Sequence, residues 1–402
     1  MLERLGLAIT SLLSEAGLSL MGCRPLPPLP SPRLPVPNGM HTLEELWGQV
    51  ESVPRQDREE SGFASTIRVA KGDMWRRWAD QVPGMAGIGP APSGFARVQG
   101  ARLAPGRAPL HALFHPPGSS GPTVIVVHGL YDSKLSHYVL LTATALVRHG
   151  WGVLVPDMRW HGELLLRDWL PSLGIEEGLD LLEWGRWVQR QHPGRPVGLV
   201  GFSLGALDVV HALSHDAAGE VLRAGGIAVC PPASLHRTLQ TLDGKARVTE
   251  LGRNAFLRKF FQTALRIRTG RLGLDGSSQG LFGRFLEWLA AHGAGGAGLT
   301  VSRLLDLADP LPCLPRCRRP LLVLASGNDS IYLERTADKL AEAARANPFV
   351  RVIETPGGGH IGQLGTYPQW MADILYQLFS LGPEAVAGSV SPPGLPGWIR
   401  QG

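Results

Sequence analysis

From residue 95 onward the chain alternates short, uninterrupted apolar runs with longer stretches of helical periodicity, and few architectures accept that alternation. The runs are "PTVIVVHG", "WGVLVPD", "PVGLVGF", "GIAVCPP", "PLLVLASG" and "VRVIETPG". A strand that is apolar at every position is one covered on both faces. Between the runs, "HYVLLTATALVRHG" ends in Gly150, "GLDLLEWGRWVQRQHPG" stops at His192-Pro193, and "ERTADKLAEAARANP" stops before Pro348, as helices end at glycine or just before proline. The pattern predicts an α/β fold built on a mostly parallel, doubly wound sheet. Ahead of it, "FARVQGARL" and "APLHALFHPP" read as two short strands, the second with Leu110, Ala112 and Phe114 on one face. A Pro/Gly turn separates them, which suits an antiparallel edge.

The flanks have a different composition. "RPLPPLPSPRLPVPNG", Arg24 to Gly39, reads as an extended linker, and "SPPGLPGWIRQG" closes the chain. The expected division is an N-terminal extension over 1–94, a folded unit over 95–381 and a tail over 382–402. With 402 residues, 44% of them hydrophobic, the folded part can bury a full core. In "LGLAITSLLSEAGLSLMGC", Leu20-Met21-Gly22-Cys23 resembles a bacterial lipoprotein cleavage box. Glu15 within the apolar stretch and Glu3 beside Arg4 favour an amphipathic helix instead. The expected location is therefore cytoplasmic or peripheral to a membrane, with anchoring through Cys23 as the alternative. No apolar run reaches the roughly 20 residues of a spanning helix. The net charge of +5 is too dispersed for a nucleic-acid partner. Its one concentration is Arg253 to Arg271, where Phe256, Phe260, Ala264 and Ile267 recur at helical spacing among Arg258, Lys259, Arg266 and Arg268. That is either a solvated helix face or a peripheral membrane contact. Cys23, Cys230, Cys313 and Cys317 lack the spacing of a disulfide framework, and "PCLPRC" has no partner pair for a metal.

Ligands of such sheets bind at the carboxyl ends of the strands, so residues just beyond those ends are the candidates for chemistry. Two stretches match Gly-x-Ser-x-Gly: Ser203 between Gly201 and Gly205, and Ser278 between Gly276 and Gly280. With 51 glycines in 402 residues a match means little by itself, and context separates the two. Ser203 directly follows "PVGLVGF" and opens "LGALDVVHALSH", so the chain must reverse at the serine. Ser278 has no strand before it and reads as a polar loop. A serine hydroxyl needs a base and a group to orient the base. Asp329 follows "PLLVLASG", and His360 sits in "TPGGGHIGQ" after the last strand. Should either role fall elsewhere, His292 and His236 are the other histidines to consider as base. "VVHGLYDS" also follows a strand. There His128 and Gly129 support a close backbone approach, and the amides of Leu130 and Leu204 are the expected oxyanion donors.

The order Ser, Asp, His and the loops that carry them resemble those of an α/β-hydrolase from about residue 95 to 380. "HGLYDSKLSHY", "GFSLGA" and "GGGHIG" most resemble the YheT-like esterases, relatives of the ABHD lipid hydrolases. The resemblance implies a Ser203, Asp329, His360 triad, a helical cap inserted over about 232–312, no cofactor, and a small-molecule or lipid ester as substrate. The expected activity is carboxylic ester hydrolysis through an acyl-enzyme. Thioester cleavage, acyl transfer, or a catalytically silent binding scaffold are the alternatives. Two departures are visible: "DMRWHG", Asp157 to Gly162, is closer to the Asp-x-Arg-Gly-His-Gly turn of lipase-like and epoxide-hydrolase-like members, and Ala206 stands where a second glycine is usual. Arg159 and His161 are read as structural, since in relatives that turn braces the loop behind the oxyanion hole.

Overall fold

The computed structural model describes residues 28–33, 42–51, 89–100, 109–118, 121–165, 170–242, 262–274, 280–293, 298–329, 331 and 336–381. Eight strands form one sheet: β1 (Ala96–Gln99), β2 (His111–His115), β3 (Thr123–Val127), β4 (Gly152–Pro156), β5 (Val197–Phe202), β6 (Gly225–Val229), β7 (Leu321–Ser326) and β8 (Val350–Thr355). Their order is β1-β2-β4-β3-β5-β6-β7-β8. β1 pairs antiparallel with β2 and β2 with β4. Every later pairing is parallel. Each residue of β3 to β7 is buried, the result expected of apolar runs covered on both faces. At the free edge β8 is only partly buried, with Arg351 and Glu354 exposed.

Helices cover both faces. α1 (Leu43–Val50), α2 (His137–Arg148), α3 (Ile175–Gln191) and α4 (Leu204–His215) precede β6 or pack on the central strands. Between β6 and β7 lie α5 (Leu235–Leu242), a helix over 262–269, α7 (Leu281–His292) and α8 (Val301–Ala308), with 262–269 counted as α6. α9 (Thr336–Ala344), α10 (Gln363–Thr366) and α11 (Pro368–Ser380) complete the chain. The sheet divides the core in two. One side holds Leu110, Ala112 and Phe114 with Leu199, Leu207 and the helices of the β6–β7 insertion. The other holds Leu113, Val124, Phe202, Met371 and Phe379. The period-two reading of β2 is thus met residue by residue.

The N-terminal extension differs from its expected form. Leu29, within the proline-rich stretch expected as a linker, is buried in the second core cluster, together with Leu43, Leu46, Trp47 and Val50 of α1. The Arg33 amide donates to Asp373 of α11 at 2.8 Å. The apolar side chains in a proline-rich segment bury as readily as any others, and proline's preset φ lowers the cost of holding the segment extended. No helix among the described residues is long and apolar enough to cross a membrane.

Candidate active site

β5 ends at Phe202, and the chain reverses at Ser203, whose φ of 55° and ψ of −114° lie in a region that non-glycine residues seldom occupy. Strain there persists because the surroundings fix it. The Ser203 amide donates to Val229 O at 2.8 Å, and the Ser203 carbonyl accepts from Ala206 N at 3.0 Å. The flanking glycines have steric causes. A Cβ on Gly201 would collide with the Gly205 carbonyl, and one on Gly205 with the His128 carbonyl. α4 begins at Leu204, so the serine stands at the positive end of a helix.

Two loops meet Ser203 from the β7 and β8 ends. His360 Nε2 lies 2.8 Å from Ser203 Oγ, and His360 Nδ1 lies 2.9 Å from Asp329 Oδ2. A carboxylate can only accept, so Nδ1 carries the proton, and Nε2 is left to accept from the serine hydroxyl. The side chains of His360 and Asp329 are each only 5% exposed, which shields the pair from water. Asp329 Oδ1 accepts from Ile331 N at 2.7 Å. Asn328 ties the two loops: its Oδ1 accepts from Gly359 N at 2.8 Å and from Ser326 Oγ at 2.9 Å. It is His360, not His292 or His236, that meets the serine; His292 Nδ1 faces Trp288 O at 3.0 Å.

The β3 loop closes the third side. A Cβ built on Gly129 would come within 3.3 Å of Ser203 Cβ and of Phe202 O, so glycine permits the close approach. The Gly129 amide donates to Tyr138 Oη at 2.8 Å, and Tyr138 in turn donates to Asp132 Oδ2 at 2.7 Å. Among the described residues the amides of Leu130 and Leu204 donate to no acceptor. They remain the expected donors to a negative oxygen formed at Ser203. Tyr138→Phe removes the acceptor of the Gly129 amide and the donor to Asp132, both buried. We expect kcat to fall by roughly tenfold through misplacement of this loop, with circular dichroism unchanged; activity equal to wild type would show that the loop needs no such tie.

His128 holds the same loop from behind. Its Nδ1 donates to Gly129 O at 2.8 Å, and its Nε2 accepts from Met158 N at 3.1 Å, a pattern open only to the neutral ring. Burial lowers it from 6.5 to about 4. Burial, then Arg268 and His128, also lower His161 well below the usual range. The unfolded chain therefore takes up these protons first as the pH falls. The stability supplied by neutral His128 is complete above about pH 6.5 and is lost progressively toward pH 4, a loss on the order of 3 kcal/mol. Thermal unfolding should show a steep fall in midpoint across that window, shallower in His128→Asn. Equal slopes would contradict the assignment.

Arg159 and His161 make buried contacts at the Asp157 turn. Arg159 Nε and Nη2 reach Asp180 at 2.6 and 2.8 Å, and His161 Nδ1 donates to Arg159 O at 2.7 Å. Asp157 accepts from Lys134 N at 2.9 Å, from Glu163 N at 3.0 Å and from Lys134 Nζ. The basic helix needs a correction. Arg268 is 3% exposed, with its guanidinium 4.7 Å from the Tyr131 ring centroid and 5.5 Å from that of Trp160. It also donates to Trp160 O. Its period in the sequence matches that of a surface cation, but stacking on two rings and a carbonyl compensates its burial. It is thus not among the surface cations a membrane contact would use. Arg266 is exposed. Residues 253–261, Ser278 and Cys23 lie outside the described residues. Cys230, Asp329 and His360 place three atoms of metal-ligand type within 4.8 Å of one another. His360 Nδ1 there is already bonded to Asp329, and burial, then Asp329, push the Cys230 thiol up toward its protonated form, so the donor set suits a hydrogen-bond network better than a metal.

The sequence from residue 124 to 374 matches the alpha/beta hydrolase family, well over half of the chain. The chain belongs to this family. A search of curated proteins finds no match. Among solved structures, an esterase of Pyrococcus furiosus, Pf2001, is similar with a TM-score of 0.50 and 19% identity, over 71% of this chain and 89% of that one. The 2,6-dihydroxy-pseudo-oxynicotine hydrolase is similar with a TM-score of 0.49 and 15% identity, over 83% of this chain and 78% of that one. Est1E of Butyrivibrio proteoclasticus, with ferulic acid bound, has a TM-score of 0.43 and 14% identity, over 67% and 94%. At these identities the likeness is one of fold. Membership in the alpha/beta hydrolase family accounts for the sheet order and for the sharp turn at Ser203. Tyr138 lies within "HGLYDSKLSHY" and Asn328 directly precedes Asp329, but nothing in a single sequence marks which residues are bonded across loops.

Proposed function

We propose that the protein is a serine hydrolase of carboxylic esters, with Ser203 as nucleophile, His360 as general base and acid, and Asp329 as the group that orients and stabilises the imidazolium. The observation that carries this reading is the continuous relay from Ser203 Oγ to His360 Nε2 at 2.8 Å and from His360 Nδ1 to Asp329 Oδ2 at 2.9 Å. As Ser203 Oγ attacks the ester carbonyl, His360 takes its proton, and the new negative oxygen is held by the amides of Leu130 and Leu204. His360 then returns the proton to the departing alkoxide. Water, deprotonated by His360, attacks the acyl-serine ester, and the acid leaves with Ser203 restored. The motif resemblance to YheT-like esterases supports an ester over an amide substrate. The helices between β6 and β7 supply the cap that would select the acyl group.

The test is a panel of p-nitrophenyl esters of graded acyl length, run with and without a fluorophosphonate, followed by peptide mapping of the adduct. Turnover of esters and a single adduct on the peptide with Ser203 are expected. An adduct elsewhere would sink the assignment. Adding an alcohol or amine acceptor asks whether acyl transfer competes with water, and a thioester series asks whether sulfur esters are preferred.

A further inference from the structure

The β3 loop and the Asp157 turn after β4 each bend at a strained non-glycine residue, Tyr131 with a φ of 65° and Trp160 with a φ of 60°. Such strain is retained where the surroundings over-determine it, and here one side chain holds both residues. Arg268 of α6 lies with its guanidinium carbon 4.7 Å from the centroid of the Tyr131 ring and 5.5 Å from that of Trp160, and its Nη1 donates to the Trp160 carbonyl. All three residues are buried. In the sheet β3 and β4 lie on one side of β5, and β6 and β7 on the other. The insertion between β6 and β7 therefore grips loops from the far side of the strand that ends at Ser203. Its grip is anchored: Ala264 and Leu265 of α6 are fully buried, and Thr269 Oγ1 donates to Leu265 O at 2.8 Å.

Leu130 sits between the two residues by which the β3 loop is tied. On one side the Gly129 amide donates to Tyr138 Oη at 2.8 Å, and on the other the Tyr131 ring lies against Arg268. The Asp132 amide closes the turn on Gly129 O at 3.3 Å. An amide between fixed neighbours points its N–H in one direction. Resting on the triad reading above, we propose that Arg268 is a positioning residue of the reaction, its guanidinium fixing Tyr131 against the Asp157 turn so that the Leu130 amide faces the oxygen that becomes negative when Ser203 attacks. Arg268 acts through Tyr131, and no contact with substrate is assigned to it. A guanidinium suits the place because it is planar, always charged and weakly hydrated, and its attraction to the face of a ring needs no hydrogen bond from that ring. An apolar side chain of the same length fills the space but supplies neither that attraction nor the N–H to Trp160 O. The oxyanion donors matter as charge develops rather than as substrate binds, so loosening them lowers the rate and spares binding.

The experiment measures kcat and KM on a soluble p-nitrophenyl ester, and the affinity of a trifluoromethyl ketone, for the full chain carrying Arg268→Met, Arg268→Lys, Tyr131→Leu, or Arg268→Met with Tyr131→Leu. Ser203 Oγ adds to the ketone carbon, its proton passes to His360, and the ketone oxygen takes the negative charge. The affinity of the ketone therefore reports the oxyanion donors with no leaving group involved. Arg268→Met should lower kcat by roughly tenfold with KM within about twofold of wild type, and weaken ketone binding by the same factor as kcat/KM. Arg268→Lys, which keeps the charge and a donor for Trp160 O, should fall between. Tyr131→Leu leaves the arginine in place and tests the same link if Arg268→Met fails to fold, and the double variant should lose no more than the larger single loss. Wild-type kcat in folded Arg268→Met or Tyr131→Leu, a loss of kcat with ketone affinity unchanged, lysine no better than methionine, or additive losses in the double variant would overturn the proposal. Fluorophosphonate labelling of Ser203 in wild type keeps the two readings apart: no label there sinks the triad, whereas a labelled wild type with an unaffected Arg268→Met sinks this proposal alone.

Discussion

Ser203→Ala is expected to abolish turnover of a soluble ester, by about 10⁴-fold or more in kcat, the loss typical of removing a nucleophile from a triad. Both ring nitrogens are committed to the relay: His360 Nε2 faces Ser203 Oγ and Nδ1 is bonded to Asp329. The variant should fold. Alanine has no γ-atom to clash, and the amide contacts of the turn to Val229 and Ala206 do not involve the hydroxyl. Loss of the unfavourable φ at this position is not on offer from alanine, so the unfolding midpoint should stay close to wild type. Ser278→Ala, at the other Gly-x-Ser-x-Gly match, should keep activity within severalfold. Comparable losses in the two variants would remove the distinction that rests on strand context.

His360→Ala should be nearly as severe, because Ser203 then has no base and the departing alkoxide no proton donor. Asp329→Asn is the more informative change. An amide in place of the carboxylate can present N–H to His360 Nδ1, which favours the tautomer with its proton on Nε2, the wrong nitrogen to accept from Ser203. A loss of about 10⁴-fold is known for that error in a triad of this kind. Rates of both variants, with circular dichroism to verify the fold, decide the roles. Near-wild-type turnover in Asp329→Asn would leave the aspartate a merely structural loop residue.

The mostly parallel sheet and the placement of Ser203, Asp329 and His360 just past strand ends were legible because each depends on a local signal: a β-branched run, the glycines that a tight turn needs, a titratable residue after a strand. The antiparallel edge was legible for the same reason, from the alternation of Leu110, Ala112 and Phe114. What the sequence concealed depends on pairs far apart along the chain. Cys230 and Gln363 are separated by 133 residues, and Arg268 and Trp160 by 108; no period connects them. Leu29 shows the limit of composition. Prolines around it describe how the backbone runs, not whether a leucine among them finds a core.

Arg268 belongs to the β6–β7 insertion, yet it stacks on Tyr131, the neighbour of Leu130, while Phe285 of the same insertion lies parallel to Trp160 with ring centroids 4.9 Å apart. The insertion is therefore not an interchangeable part. Anyone grafting a foreign insertion onto this scaffold to change its substrate range would also remove the cation that stacks on Tyr131 in the β3 loop and the ring that stacks on Trp160 in the Asp157 turn. A chimera should then bind its new substrate and turn it over slowly. Transplants that retain arginine at 268 and an aromatic side chain at 285 should be the ones whose selectivity changes without that loss of rate.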